Sequence, residues 1–191
     1  SDVCSSDLDE NGSLFYYLKA CTQYIKGLYY SAERSFEISF YDDYETRMRD
    51  CVQEMPQTGT VYVSSDVAGN ETGLIVTVNN TDDSVVSCVK VLDKDDKTAA
   101  CVIVRGSGEA RVSLAEGEYK LIQGTGYVWY GVNELFGEDG TYENMIFDDG
   151  SDLISFRSGY DYSLVFNVLE HNETSQNVGS ESVSWEDIIG Q

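Results

Sequence analysis

Histidine is nearly missing from this 191-residue chain, with His171 alone. Serine–histidine and cysteine–histidine nucleophilic catalysis therefore lack a base, and an isolated loop histidine is ordinarily a solvated one. Cys-x-x-Cys is missing too, and with one histidine the cysteine spacing matches no zinc pattern. Basic residues are scarce: 12 stand against 34 acidic ones, for a formal charge of -22. Such a field repels phosphate backbones and anionic lipid surfaces, and no Lys/Arg cluster offsets it, which argues against nucleic-acid binding. No run of about eighteen apolar residues occurs, so the chain as given has no membrane-spanning segment. Proline occurs once, as Pro56. No catalytic residue, cofactor or metal ligand is assigned, and the expected class is not an enzyme.

The hydrophobic share of 41% is enough for a packed core. The chain divides into two zones with a preceding segment. Ser1-Asp2-Val3-Cys4-Ser5-Ser6-Asp7-Leu8 reads as one frame of the sequencing adapter TCAGACGTGTGCTCTTCCGATCT. Residues 1–12 are therefore expected to be artefactual or disordered, with the natural N-terminus, and any signal or anchor, upstream. Asp7-x-Asp9-x-Asn11-Gly12 mimics half a calcium loop, but Leu18 stands where the bidentate Glu belongs. Chance explains it.

Residues 13–56 carry helical spacing. Leu14, Tyr17, Leu18, Cys21, Tyr24, Ile25 and Leu28 recur at three- and four-residue steps, one continuous apolar face, with Ser13 the expected N-cap. Lys26-Gly27 breaks the helix. A second helix is expected over 29–38, with Ala32 and Phe36 inside. An Asp of Tyr41-Asp42-Asp43 is expected to cap a third, whose inner stripe is Tyr44, Met48, Cys51, Val52 and Met55. Tyr29, Ala32, Phe36, Tyr41, Asp43 and Cys51 match Tyr-x-x-Ala-x-x-x-Phe, Tyr-x-Asp and a helix ending near Cys. The segment thus resembles the tetratricopeptide-like repeats of Gram-positive bacteria, one residue short between Phe36 and Tyr41, and with Tyr44 in place of a small residue. A single repeat cannot bury its own apolar face.

Pro56-Gln57-Thr58-Gly59 punctuates the boundary. Over 59–191 short β-branched and aromatic runs alternate with Gly, Asn and Asp. Strands are expected at 60–64, 74–79, 85–92, 99–105, 110–114, 118–122, 127–130, 153–156 and 162–169. The fold class is α+β: a short helical segment followed by an antiparallel immunoglobulin-like or prealbumin-like β-sandwich. Gly106-Ser107-Gly108 and Gly124-Thr125-Gly126 read as strand-joining glycines. Asp93–Asp96 and Asp148-Asp149-Gly150-Ser151-Asp152 read as acidic turns. Cys88 and Cys101 flank the Asp93–Asp96 turn and are expected opposite each other on a hairpin. They form either a disulfide or two packed thiols.

Trp129-Tyr130-Gly131, then Leu135-Phe136-Gly137, Tyr142 and Phe147, follow Val104-Arg105-Gly106 and Gly117-x-Tyr119. The block is similar to a domain of unknown function in Gram-positive bacterial surface proteins, over about residues 60–188. Ala115-Glu116 replaces a proline before the turn, and a basic residue after Tyr142 is lost. The resemblance implies an extracytoplasmic module following a membrane anchor, a zinc ribbon or such helical repeats. The stretch from Gly131 to Met145 is expected to plug one end of the sandwich, with Trp129 and Phe136 inside. The alternative is an exposed platform of Trp129, Tyr130 and Tyr142 that stacks on sugars or a peptide. The leading expectation is a non-catalytic module with a protein partner, any membrane association coming only through an upstream anchor. Carbohydrate binding and a carboxylate-pair hydrolase stand as alternatives.

Overall fold

The computed structural model describes residues 6–41, 43–80, 82–147, 149–168 and 179–188. His171, Cys4, Asp148 and the first five residues lie outside them. Two compact units emerge: Ser1–Glu54 with Val128–Gly137, and Met55–Tyr127 with Glu138–Gln191.

Three helices build the first unit: α1 (Ser6–Ile25), α2 (Tyr29–Ser39) and α3 (Tyr44–Cys51). Gly27, at φ 72°, makes the α1–α2 reversal that its missing Cβ allows. Ser13 is not an N-cap: α1 begins a full two turns earlier, and the Ser13 hydroxyl donates to the Ser39 carbonyl at the end of α2. Asp43 does occupy the N-cap position of α3, yet its side chain makes no cap bond. Its Oδ2 accepts from Arg47 Nε at 2.9 Å instead. The core of this unit is Ala20, Ala32, Phe36 and Cys51, with Tyr17, Cys21, Tyr29 and Met48 packed around it. The continuous apolar face expected on α1 is split. Its Ala20 edge faces α2, whereas Leu14, Leu18 and Ile25 are exposed, and so is Val52 beyond α3.

The second unit holds two sheets, mostly antiparallel, compatible with a β-sandwich. The strands are β1 (Gly59–Val63), β2 (Ala68–Asn80), β3 (Val86–Asp93), β4 (Thr98–Arg105), β5 (Gly108–Leu114), β6 (Gly117–Gly126), β7 (Thr141–Ile146), β8 (Leu153–Phe156), β9 (Asp161–Val168) and β10 (Gly179–Ser182). A four-residue helix, α4 (Trp185–Ile188), follows. The larger sheet runs β1-β4-β3-β6-β7-β10, with β8 also on β6; the smaller runs β5-β2-β9. One pair departs from the antiparallel expectation: β2 and β9 are parallel, Leu74 opposite Tyr162 through Asn80 opposite Val168.

Period-two alternation aims Ala110, Val112 and Leu114 of β5 inward and leaves Glu109 and Arg111 exposed. Leu74, Val76 and Val78 of β2 join them. From the larger sheet come Val89, Val91, Val102, Val104, Leu121 and Met145, so one core is shared by both sheets. β3 and β4 are buried on both faces, so β4 reads as a near-continuous apolar run, whereas β3 also buries Ser87 and Lys90. Residues 127–130 form no strand: Trp129 makes only an isolated bridge to Gln53. Gly124 and Gly126 do not join strands, because both lie within β6 and pair with Cys88 and Val86.

Candidate functional site: a returning loop and an uncovered helix face

The Trp129–Gly137 block does not stay with the sheets. After Tyr127 the chain gives Val128–Gly137 to the helical unit and re-enters the sheet unit at Glu138. The expected plug of the sandwich is thus a brace of the helices.

The physical reason lies at the start of α2. Leu28 occupies its N-cap and offers no side-chain acceptor, so the first N–H groups need another partner. Glu134 supplies it. Tyr30 N–H donates to Glu134 Oε2 at 2.7 Å, and Ser31 N–H reaches both carboxylate oxygens at 3.3 Å. Ser31 Oγ–H donates to Oε1 at 2.5 Å. The carboxylate is fully buried, and its negative charge sits at the positive end of the helix dipole. Asn133 Nδ2 adds a bond to the Gly27 carbonyl at 3.3 Å, and the Tyr130 hydroxyl donates to Glu33 at 2.8 Å. Gln53 N–H donates to the Trp129 carbonyl at 2.9 Å, tying the end of α3 to the same loop.

The aromatic–glycine spacing now has a cause. The loop closes on itself through Tyr130 N–H to the Leu135 carbonyl, Leu135 N–H to Gly131 and Gly137 N–H to Glu134. Gly131, Leu135 and Gly137 all take positive φ. A Cβ on Gly137 would stand 2.4 Å from the Tyr30 ring. Trp129 and Phe136 meet edge to face at 5.6 Å, as do Tyr30 and Tyr130 at 5.1 Å. Arg34 lies over the Tyr30 ring at 5.2 Å, its Nε on the Tyr30 hydroxyl. Burial, and then Glu33, push the Tyr130 hydroxyl well above the ordinary phenol range. Burial also pushes the Cys51 thiol up to about 12, with Glu33, Asp50 and Glu134 adding to it. That thiol is inert at neutral pH.

Trp129, Tyr130 and Tyr142 are 6%, 7% and 3% exposed. None offers an open ring face, and Tyr142 belongs to the other unit, on β7. Sequence reasoning missed Glu134, Tyr30 and Ser31. The available signal was an acid immediately before the apolar Leu135-Phe136 pair.

What the helical unit does leave open is apolar. Phe15, Leu18 and Ile25 are 61%, 57% and 84% exposed. Beside them Cys21, Tyr24, Ile25, Phe36, Arg47 and Asp50 line a cleft of about 210 Å³. Residues 14, 18, 21 and 25 lie on one helical face, so ridge and cleft adjoin. No histidine or acid pair stands in the cleft wall. Among the described residues no cluster of His, Cys, Asp and Glu could hold a metal, and no helix is long and apolar enough to cross a membrane. No family model, curated protein or solved structure matches the chain.

Proposed function

We propose that this chain is a non-catalytic, protein-binding module of a Gram-positive cell-envelope protein. Its two-sheet unit is read as the immunoglobulin-like or prealbumin-like sandwich suggested by the residue pattern. The binding element is the helical unit, and the partner is a protein that presents an apolar helix. Residues 13–56 read as about one tetratricopeptide-like repeat, and repeats of that kind cover each other's apolar faces by stacking.

The observation that carries this reading is the uncovered face of α1: Leu14, Phe15, Leu18 and Ile25 in the open, beside a cleft with apolar walls. Isolated exposed apolar residues are ordinary, whereas a contiguous set beside a concavity marks an interaction surface. The acidic balance suits a partner rich in Lys and Arg around its apolar stripe. The buried rings of Trp129 and Tyr130 lend no support to sugar stacking.

A photo-crosslinking residue at Leu18, on folded protein exposed to a Gram-positive envelope extract, tests the reading. One protein should be captured at Leu18 and not at the exposed, polar Glu37. Unlabelled wild type should compete, and unlabelled Leu18→Asp should not. Equal capture at both positions, or none, overturns it.

A further inference from the structure

The two cysteines in the middle of the larger sheet have a chemistry of their own. Cys88 on β3 and Cys101 on β4 are both fully buried, and their sulfurs lie 3.1 Å apart as thiols. They are not directly opposite, as the hairpin alone suggests: Cys88 faces Ile103, and Cys101 faces Lys90. The pair is diagonal. On a flat sheet diagonal neighbours stand about 7–8 Å apart at Cα, but right-handed twist brings one diagonal closer. On its other side Cys88 faces Gly124 of β6. That neighbour has no side chain to compete for the space around the Cys88 sulfur.

We infer that Cys88 and Cys101 are the site of a structural disulfide, closed while the β3–β4 hairpin is still accessible and sealed off once the sheet is complete. Two thiols lose two protons and two electrons, and one S–S bond forms. The electrons pass to a disulfide oxidant, a small molecule or a protein. One thiolate attacks it to give a mixed disulfide, the second displaces it, and the oxidant leaves as two thiols. In the folded chain neither sulfur meets solvent. Oxidation must therefore precede closure, and reductants cannot reach the bond afterwards. An oxidising compartment outside the cytoplasm supplies this chemistry. The inference does not rest on the protein-binding reading, since the disulfide and the α1 face belong to different units.

The test uses the full chain, denatured, reduced, and refolded with oxidised glutathione. Free thiols are then blocked in denaturant, and the protein is cut with trypsin together with a glutamate-specific protease. The second enzyme is needed because Cys51 and Cys88 share the tryptic peptide after Arg49, and Glu54 and Glu71 separate them. A Cys88 peptide linked to the one containing Cys101 is expected. The folded, oxidised protein should keep that link in dithiothreitol and lose it only when denaturant is added. Full blocking of both cysteines once the refolded, oxidised protein is opened in denaturant, or links through Cys21 or Cys51 instead, overturns the inference. As a second readout, refolding without oxidant should lower Tm by roughly 5–15 °C in the wild type. The Cys88→Ala/Cys101→Ala double variant should melt alike either way. A wild type indifferent to oxidant also overturns it.

Discussion

Glu134 has no contact with water, yet it is the group on which the start of α2 depends. Its bonds to Tyr30 N–H, Ser31 N–H and Ser31 Oγ are charge-assisted, and removing the carboxylate leaves buried donors unmet. Glu134→Ala is expected to cost about 2–4 kcal/mol, read as a lower urea midpoint in helical circular dichroism. Gly137 stands next to the same Tyr30. Its φ of 67° and the 2.4 Å approach of a Cβ to the ring leave no room for a side chain. Gly137→Ala should cost about 2 kcal/mol or more by the same measurement. Asp82, in the other unit, accepts from Ser84 N–H at 2.9 Å and Ser84 Oγ–H at 2.5 Å, and these bonds hold its carboxyl below the usual carboxylate range. A pKa lowered by folding contributes stability above the unfolded value and loses it as pH falls through the folded one. The wild type's margin over Asp82→Asn should therefore be full at neutral pH, begin to shrink near the unfolded value of about pH 4, and vanish only below the lowered folded pKa in pH-resolved denaturation.

At the scale of elements, helical spacing located all three long helices and glycine placed the α1–α2 turn. Which side of α1 is covered was not legible, because its apolar residues occupy more of the helix than α2 can bury. The exposed set Leu14, Leu18 and Ile25 lies on the same periodic stripe as the half-buried Tyr17 and Cys21. The contrast is measurable. Phe36→Ala, at 1% exposure, should cost about 3–5 kcal/mol. Leu18→Ser and Ile25→Ser should each change stability by less than about 0.5 kcal/mol. Thermal melts of the three variants check this. Strand positions were legible where β-branched runs alternate or are buried on both faces, as in β3, β4 and β5. β7 was not, because Thr141–Ile146 carries Glu143 and Asn144 amid its apolar residues. Residues 127–130 looked like a strand because Tyr, Val and Trp favour one, but without a neighbouring ladder they became a brace.

For the whole molecule, the charge of -22 is the largest long-range term. Like charges on one folded chain repel, and salt screens them within about 10 Å at 0.1 M. Raising sodium chloride at neutral pH is expected to raise Tm, as differential scanning calorimetry would record; a falling Tm would mean that exposed pairs such as Arg111–Asp161, 2.7 Å apart, outweigh the repulsion. Composition and periodicity alone determined that a short helical segment precedes a mostly antiparallel β unit, since local spacing and turn residues act over a few positions. They also determined which chemistries lack their residues. Only the tertiary structure decided that Val128–Gly137 joins the helices, that Glu134 caps α2 from 104 residues away, and that Cys88 meets Cys101 on a diagonal. Those outcomes depend on which unmet N–H, which gap and which twist lie nearby after folding, and no local pattern encodes distances between residues so far apart along the chain.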